Sequence, residues 1–388
     1  MNIAFLSWES LHSVPVGGVG VHVTELAAAL QRRGNEVHVF ARLGEGQSTY
    51  DIIDGVHYHR CPIELNSDFV TEMNNMCNAL VYFMGQTEAY QGRHFDIVHG
   101  HDWLCSKGIV QAKNDRGRRV VLTLHSTEFG RCGNQIPAGL PQRIAAVESE
   151  GAFVADKVLT VSHALAGEVQ WLYGVPDWKL EVVPNGVNCE QFDGYIDPGP
   201  CRQRYGIGPM DPMVLFAGRL CFQKGADLLL EAVPNILQCR GDAKIVFAGD
   251  GHMRQALEHR ARELRVEHAV RFVGAIQNGQ LRDLFKSTDV VCVPSRNEPF
   301  GIVVLEAWAA GKPCIVSCNG GARELVEHGQ DGLVVNPDPN AIAWGVCEFF
   351  RNFEHARWAG SRGRVKAAYG YAWNSVAERT ERAYHAIC

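Results

Sequence analysis

Short apolar runs alternate with amphipathic stretches along nearly the whole chain. In the first half, the runs that predict buried strands are 3–6, 37–40, 56–59, 97–99, 120–124, 158–161 and 180–183. The stretches between them that predict helices are 19–33, 69–91, 104–115, 141–153 and 163–172. Strands that alternate with helices form parallel sheets covered on both faces, so the pattern predicts an α/β domain.

The alternation stops at 184–200, which is rich in turn residues and predicts an interdomain linker. It then restarts with predicted strands at 214–217, 245–248, 270–273, 290–293, 314–317 and 333–335. Two helices, about 339–368 with a break and 373–387, close the chain. We therefore predict two α/β domains of similar size, 1–190 and 191–372, that face each other across a cleft.

The segment from Glu298 to Glu306 carries the clearest chemical signal. Two carboxylates lie eight positions apart, and Gly301 separates the first from a short apolar helix. Free N–H groups of Phe300 to Val303 at the start of that helix would attract an anion. Phosphates bound there, with sugar and ribose hydroxyls at the carboxylates, would suit a sugar nucleotide. For this segment alone, a buried helix with two incidental acids is the alternative.

A second motif, Gly218-Arg219-Leu-Cys-Phe-Gln-Lys224-Gly225, joins the predicted strand at 214–217 to a helical run. Open α/β sheets bind ligands at the carboxyl ends of their strands, where this motif puts two cations. Arg219 and Lys224, with a helix dipole, can neutralise a diphosphate leaving group without a metal. A solvated basic turn is the alternative, and the presence of both motifs in one domain argues against it.

The loop Gly17-Gly18-Val19-Gly20 follows the first strand and superficially matches a dinucleotide-binding fingerprint. The third glycine position holds Val23, and a long loop replaces the tight turn, so we reject an oxidoreductase function. A glycine loop beside a helix N-terminus suits backbone approach to a phosphate or to the transferred sugar.

Two further segments, His99-Gly-His101-Asp102-Trp103 and Thr123-Leu-His125-Ser-Thr-Glu128, end neighbouring predicted strands. Parallel strands deliver both to one crevice. His101 and Asp102 could be a metal pair, but no third and fourth ligands follow at a suitable spacing, so we expect no metal site. His125 alone could be structural. Its place at a strand end favours contact with substrate hydroxyls.

Composition excludes several classes of protein. The formal charge of −6, without a Lys/Arg-dense stripe, argues against a nucleic-acid partner. Thirteen cysteines lie without a Cys-x-x-Cys pair, which is typical of reduced thiols. Met1 leads directly into an apolar strand without a signal peptide, and no apolar run approaches a membrane span. We therefore expect a cytoplasmic protein with no strong membrane signal.

Together these motifs resemble the retaining GT-B glycosyltransferases of family 4, close to the glycogen and starch synthases. The resemblance covers essentially the whole chain and also includes Pro184-Asn-Gly-Val-Asn188 and Gly249-Asp-Gly251. It implies two Rossmann-like domains and a C-terminal helix, about 373–388, that packs back on the first domain. It also implies that no metal or other cofactor is needed.

Site roles follow from the resemblance. Arg219 and Lys224 would neutralise the donor diphosphate, Glu298 would hold sugar hydroxyls and Glu306 the ribose. The other expected donor-binding residues are Gly17, Gly18, Gly274, Ile276, Phe300, Gly301, Ile302 and Val303. The acceptor side would consist of Asp102, Trp103, His125 and Glu128. The expected catalytic residues are Arg219, Lys224, Glu298, His125 and Asp102.

The implied reaction is retaining transfer of a hexose from a nucleotide sugar. We predict glucose, moved from ADP- or UDP-glucose to a glucan end or a small sugar. Glucan synthases begin with Lys-x-Gly-Gly, whereas Val16 precedes Gly17 here, which counts against polymer synthesis. The sequence leaves the donor base open among ADP, UDP and GDP. The alternatives are a lipid or glycan-precursor glycosyltransferase, a GT-B nucleotide-sugar epimerase and a non-catalytic sugar-binding relative.

Overall fold

The computed structural model of the chain describes residues 1–276 and 278–388. They form two compact units, which we call the first unit (Met1–Asn185 with Trp373–Cys388) and the second unit (Gly186–Ala372). Each unit contains one mainly parallel β-sheet with helices, so the predicted fold class of two parallel-sheet α/β domains is confirmed.

The first unit has an eight-stranded sheet in the order β3-β4-β2-β1-β5-β6-β7-β8. The strands are β1 (Asn2–Ser7), β2 (Glu36–Arg42), β3 (Tyr50–Ile53), β4 (Val56–Cys61), β5 (Ile97–His101), β6 (Arg119–Leu124), β7 (Lys157–Thr160) and β8 (Leu180–Val182). Neighbours are parallel except β3 and β4. We did not predict β3, because this edge strand is largely exposed and has no continuous apolar run.

The helices of the first unit are α1 (Gly18–Arg32), α2 (Phe69–Gln91), α3 (Ser106–Asn114), α4 (Glu128–Arg131), α5 (Leu140–Val154), α6 (His163–Tyr173) and α15 (Trp373–His385). Apolar residues of β1, β2 and α1 form one core with the inner face of α15. Tyr384 on α15 is fully buried, and its hydroxyl lies 2.7 Å from His99 Nδ1 on β5. The last helix of the chain is therefore part of the first unit.

The second unit has a six-stranded, fully parallel sheet in the order β11-β10-β9-β12-β13-β14. The strands are β9 (Met213–Ala217), β10 (Lys244–Ala248), β11 (Val270–Gly274), β12 (Val290–Val293), β13 (Cys314–Ser317) and β14 (Gly332–Val335). The helices are α7 (Pro198–Arg204), α8 (Ala226–Cys239), α9 (Arg254–Glu263), α10 (Asn278–Ser287), α11 (Ile302–Ala309), α12 (Ala322–Leu325), α13 (Pro339–Arg351) and α14 (Phe353–Gly370).

Most of the segment 184–200 belongs to the second unit, so its interpretation as an interdomain linker is wrong over most of its length. A 3-10 turn covers Cys189–Phe192, and α7 begins at Pro198. Phe192 is buried, with its ring edge-on to Phe285. The Asn and Asp residues that suggested a loop instead cap these elements: Asn188 accepts a hydrogen bond from the Glu190 N–H, and Asp197 from the Gly199 N–H.

Within residues 1–276 and 278–388, no helix combines the length and the apolar character needed to cross a membrane.

Candidate active site

Lys224 and Glu298 meet in the loops that follow two adjacent central strands of the second sheet. Lys224 ends a 3-10 turn after β9, and Glu298 follows β12, which is the strand beside β9. The chain runs through β10 and β11 on the other side before it returns to β12, so the two loops meet at a topological switch point, where open α/β sheets bind ligands. Lys224 Nζ lies 2.9 Å from each carboxylate oxygen of Glu298.

The surroundings of Glu298 hold its carboxylate in one place. The residue is 6% exposed, and Ser295 Oγ donates a hydrogen bond of 2.9 Å to Glu298 Oε2. Its carbonyl oxygen accepts from the Gly321 N–H at 2.6 Å. A Cβ on Gly320, whose φ is +78°, would lie 2.3 Å from that oxygen, so this close approach requires glycine. The carboxylate is therefore pre-positioned before any ligand binds.

Arg296 ties the two loops together, and we did not predict its role. Its guanidinium makes two hydrogen bonds to Asp227, at 2.8 and 2.6 Å, and lies 3.9 Å above the Phe222 ring. It also donates to the Phe222 carbonyl at 2.9 Å. Bidentate Arg–carboxylate pairs restrict geometry strongly. Arg296 therefore fixes the turn that carries Lys224 relative to the loop that carries Glu298.

The loop of Arg219 is held by backbone contacts. Gly218 donates to the Ala248 carbonyl at 2.9 Å, and a Cβ on Gly249 would lie 1.9 Å from the Gly218 oxygen. The Arg219 side chain is exposed, and within the described part of the chain it makes no hydrogen bond or ion pair. Its charge is therefore uncompensated, whereas Glu298 compensates the charge of Lys224.

The predicted anion-binding helix is α11, which begins directly after Gly301. Glu306 lies on α11, and its side-chain carboxyl has no hydrogen-bond partner among the described residues. Burial raises the pKa of its carboxyl to about 7. A carboxyl without a partner is available for ligand hydroxyls. Gly274 ends β11, and the predicted base-flanking Ile276 is half-buried in the loop after it.

We expect Glu306→Gln to remove a pH-dependent loss of stability. The folded-state pKa of about 7 exceeds the ordinary value of 4.5, so the native protein should lose stability as the pH rises from about 4.5 through 7. An amide does not titrate in this range. The Tm of the variant relative to the native protein should therefore be higher at pH 8 than at pH 5. An equal Tm difference at both pH values would contradict the burial of this carboxyl.

In the first unit, Asp102 and His125 lie together at the ends of β5 and β6. Asp102 Oδ1 accepts from the His125 backbone N–H at 2.7 Å. Burial lowers the pKa of His125 to about 3, which leaves its imidazole neutral and able both to donate and to accept hydrogen bonds. Burial also raises the pKa of Asp102, against the effects of the Arg131 charge and two backbone N–H groups.

Three imidazoles cluster around this point, and one of them was not predicted. His101 Nδ1 lies 3.3 Å from His125 Nε2, and the His22 ring centroid lies 4.5 Å from that of His125. One nitrogen from each ring lies within 4.8 Å of the others. Sequence spacing indicated no third ligand for the His101–Asp102 pair. In the structure, His22 of α1 and His125 lie beside His101, and His22 is too distant in sequence for a spacing rule.

Asn185 of the Pro-Asn-Gly-Val-Asn motif contacts the His22 ring. Asn185 Oδ1, an acceptor, lies 2.6 Å from His22 Nδ1, which must therefore be the donor. That bond leaves a lone pair on His22 Nε2, which is buried without a hydrogen-bond partner among the described residues. Asn185 thus fixes the tautomer and the orientation of the ring beside His125.

A cation that we did not identify lies beside Glu128. Arg131 Nε donates to Glu128 Oε2 at 2.9 Å, and its guanidinium also pairs with the fully buried Glu148. These two carboxylates compensate the charge of Arg131. Trp103 is buried, with its ring edge-on to Phe69, so its visible role is packing.

The glycine loop is occupied by a carboxylate of the chain itself. Buried Glu9 accepts hydrogen bonds of 2.6 Å from the N–H groups of Val16 and Gly17, and α1 starts at Gly18. The Glu9 carboxylate would repel a phosphate bound at Gly17, whereas it would not repel a neutral sugar hydroxyl. The geometry therefore favours the sugar over the phosphate as the ligand of this loop.

Two family models match the chain, one on each half. The model described as Glycosyltransferase Family 4 matches residues 16–191, and the model described as Glycosyl transferases group 1 matches residues 201–366.

Curated relatives match over nearly the full length. An uncharacterized glycosyltransferase of Methanocaldococcus jannaschii is 35% identical over 99% of this chain and 98% of its own. A glycogen synthase of Mycobacterium tuberculosis is 30% identical over 99% of this chain and 94% of its own. A D-inositol 3-phosphate glycosyltransferase of Xylanimonas cellulosilytica is 28% identical over 86% of this chain and 85% of its own.

Solved structures share the fold. A sucrose-phosphate synthase from Thermosynechococcus elongatus superposes with a TM-score of 0.83 at 23% identity, over 99% of this chain and 98% of that one. The catalytic domain of starch synthase IV from Arabidopsis thaliana, bound to ADP and acarbose, gives 0.79 at 16% identity, over 100% and 99%. The Anabaena HepE protein in complex with UDP-glucose gives 0.78 at 21% identity, over 98% of each chain.

Proposed function

This chain belongs to the glycosyltransferases of family 4 and group 1, and we propose that it transfers glucose with retention of configuration from ADP- or UDP-glucose to a glucan end or a small sugar. Support for the donor comes from the ADP and UDP-glucose that two proteins of this fold bind. Support for the acceptor comes from the glycogen synthase that is 30% identical to the chain.

The observation that carries this proposal is the pair of Lys224 and Glu298 at the switch point of the second sheet. A lysine ammonium has three N–H groups, and Glu298 takes two of them at most. The third can bind a diphosphate oxygen while Lys224 continues to orient Glu298. The carboxylate, fixed by Ser295, can accept hydrogen bonds from the hydroxyls of the transferred sugar.

Arg219 would supply the uncompensated positive charge. Its exposed guanidinium and the start of α11 would balance the charge that develops on the leaving diphosphate, as preorganised donors do in transition states. Glu306 would accept from the ribose hydroxyls, and Gly274 and Ile276 would flank the base. None of these proposed roles makes a carboxylate the nucleophile.

We therefore assign a same-face displacement. The bond from C1 of the sugar to the diphosphate oxygen breaks, a bond from C1 to the acceptor oxygen forms on the same face, and the acceptor proton passes to the leaving phosphate. In the first unit, neutral His125 and Asp102 would bind sugar and acceptor hydroxyls. Asn185 orients His22, whose ring lies beside His125, and the backbone N–H of His125 holds the Asp102 carboxylate.

The test is a panel of nucleotide sugars assayed for nucleotide release with and without acceptors. Transfer of glucose from ADP- or UDP-glucose that depends on an added glucan or small sugar, with an α-linkage by NMR, is the expected result. Release of nucleotide and an altered sugar without any acceptor would instead indicate an epimerase. Exclusive transfer to a polyprenyl or phosphatidyl lipid would refute the proposed acceptor.

We also expect turnover to survive EDTA. Arg219, Lys224 and the N-terminus of α11 already oppose the diphosphate charge, so the chemical step should not need Mg²⁺ or Mn²⁺. The rate should be equal within error after dialysis against EDTA and after addition of either ion. A strict requirement for one of them would contradict this mechanism.

A phosphorylated polyol is the second candidate acceptor. The D-inositol 3-phosphate glycosyltransferase among the relatives acts on such a compound by its name, and Arg131 lies beside Glu128 on the proposed acceptor side. Glu128 and Glu148 compensate this cation, which favours a neutral acceptor. The same panel decides the question if it includes inositol 3-phosphate beside inositol and glucose.

A further inference from the structure

Three histidines lie on one face of the first sheet, away from the candidate active site. In the parallel β2–β4 pair, His38 is opposite His57 and Phe40 is opposite His59. Residues two apart on a strand point to the same face. His38, His57 and His59 therefore share that face with Glu36, which precedes His38 by two positions on β2.

The distances within this group are short. His38 Nε2 lies 3.2 Å from Glu36 Oε1, and the rings of His38 and His57 stack with centroids 4.3 Å apart. One ligand atom from each of Glu36, His38 and His57 lies within 4.8 Å of the other two. His38 is buried, while Glu36 and His57 are half-buried, so the group can be reached from solvent.

We propose that Glu36, His38 and His57 form a binding site for a divalent first-row transition-metal ion of the Zn²⁺ type. Two imidazoles and one carboxylate are ligands that such ions prefer, and three protein ligands leave a position for water. With metal–ligand bonds of about 2.0–2.1 Å, two ligands of a tetrahedral ion lie roughly 3.4 Å apart, close to the separation of His38 Nε2 and Glu36 Oε1. The His57 ring lies parallel to the His38 ring, with 7° between their planes, so it would have to turn out of this stack to direct a nitrogen lone pair at the ion.

Two histidines of the group have a hydrogen-bond partner at Nδ1. His38 Nδ1 lies 2.9 Å from His59 Nε2, and His57 Nδ1 lies 2.7 Å from the Tyr50 hydroxyl. The contact behind Nε2 of His38 is of a kind typical of metal-binding histidines, because it fixes the ring and its tautomer.

Two groups would compete with the ion. The Gln91 side-chain amide lies 3.0 Å from His38 Nε2 and 3.2 Å from Glu36 Oε1. An entering ion would replace this amide N–H or, after rotation of the amide, bind its oxygen. Arg93 pairs with the other oxygen of Glu36, but its side chain is half-exposed, so solvent screens its charge. Both effects weaken the site without blocking it.

The position of the group separates it from catalysis. Glu36 begins β2 and His57 lies near the start of β4, at the amino ends of parallel strands. His101 ends β5 in the same sheet, and Asp102 follows it, at the opposite edge. A bound ion would therefore cross-link β2 to β4 and stabilise the fold by mass action, without entering the reaction.

The test is titration of the full-length, chelator-treated protein with Zn²⁺ by calorimetry at pH 7.5, with Co²⁺ absorbance to identify nitrogen and oxygen ligands. One equivalent should bind, and the native Tm should rise with Zn²⁺. His57→Ala and Glu36→Gln should each weaken this equivalent at least tenfold, as loss of a ligand does. Both residues are half-buried, so the variants should fold, which circular dichroism would verify.

His94→Ala is the matched control, because His94 is in the same unit and its side chain is 73% exposed. It should bind Zn²⁺ as the native protein does. No binding by the native protein would overturn the proposal. If His57→Ala kept the full equivalent, the ion would lie elsewhere, for example at the other imidazole cluster, and the proposal would be overturned. Thiolate charge transfer with Co²⁺ would place the ion at cysteines and would overturn it as well. None of these readouts depends on glycosyl transfer.

Discussion

Lys224→Ala should lower glycosyl-transfer turnover by roughly 10²–10³-fold, the usual loss when one preorganised charge stabiliser is removed. The variant loses the N–H group proposed to bind the diphosphate, and Glu298 loses the cationic partner that lies 2.9 Å from it. The measurement is kcat with saturating donor and acceptor. Lys286→Ala is the matched control, because Lys286 is a half-buried lysine of the same unit that contacts the backbone carbonyls of Asp193 and Gly194.

The same substitution should also lower stability, which the sequence did not suggest. Lys224 compensates the charge of Glu298, which is only 6% exposed. Removal of one partner leaves a buried charge unpaired, at a cost of roughly 1–3 kcal/mol for a pair that is partly open to solvent. Lys224→Met with Glu298→Gln should regain stability without activity. Recovery of turnover in that double variant would show that Lys224 is only structural.

The order of elements could be predicted because most strands of the two sheets contain a short apolar run. Parallel strands with both faces covered must be apolar throughout, as β9 and β12 are. The edge strand β3 lacks that signal because half of its residues are exposed. Its partner β4 supplies its backbone hydrogen bonds, and a strand can be formed by pairing alone.

The motifs located the candidate residues but not their partners. Glycine and charge spacing indicated Lys224 and Glu298, since both lie within local turns. The contacts of Arg296 with Asp227 and of His22 with Asn185 join residues far apart in sequence. No periodicity encodes such pairs, because they depend on which strands and helices become neighbours. Glu9, which binds the Gly17 N–H, lies eight positions before it in the sequence, and no motif indicated this contact.

Gly249→Ala should destabilise the second unit and abolish the arrangement of the Arg219 loop. The φ of Gly249 is +138°, a conformation that L-residues with a Cβ rarely adopt, and an added Cβ would lie 1.9 Å from the Gly218 carbonyl oxygen. Backbone strain of about 1–3 kcal/mol and the cost of overpacking, about another 1–3 kcal/mol, should together lower the unfolding free energy by roughly 2–6 kcal/mol.

The partner in this clash is backbone, so no side-chain rotation can relieve it. The Gly218 loop would have to move, and Arg219 with it, so donor binding should weaken even in the fraction that folds. Denaturant unfolding and calorimetric binding of ADP or UDP would measure the two effects. Gly167→Ala is the control, since Gly167 lies inside α6 with no atom within 4 Å of an added Cβ, and it should be neutral or stabilising by up to about 1 kcal/mol. Native stability and native nucleotide affinity in Gly249→Ala would mean that the two glycine loops are not packed as described.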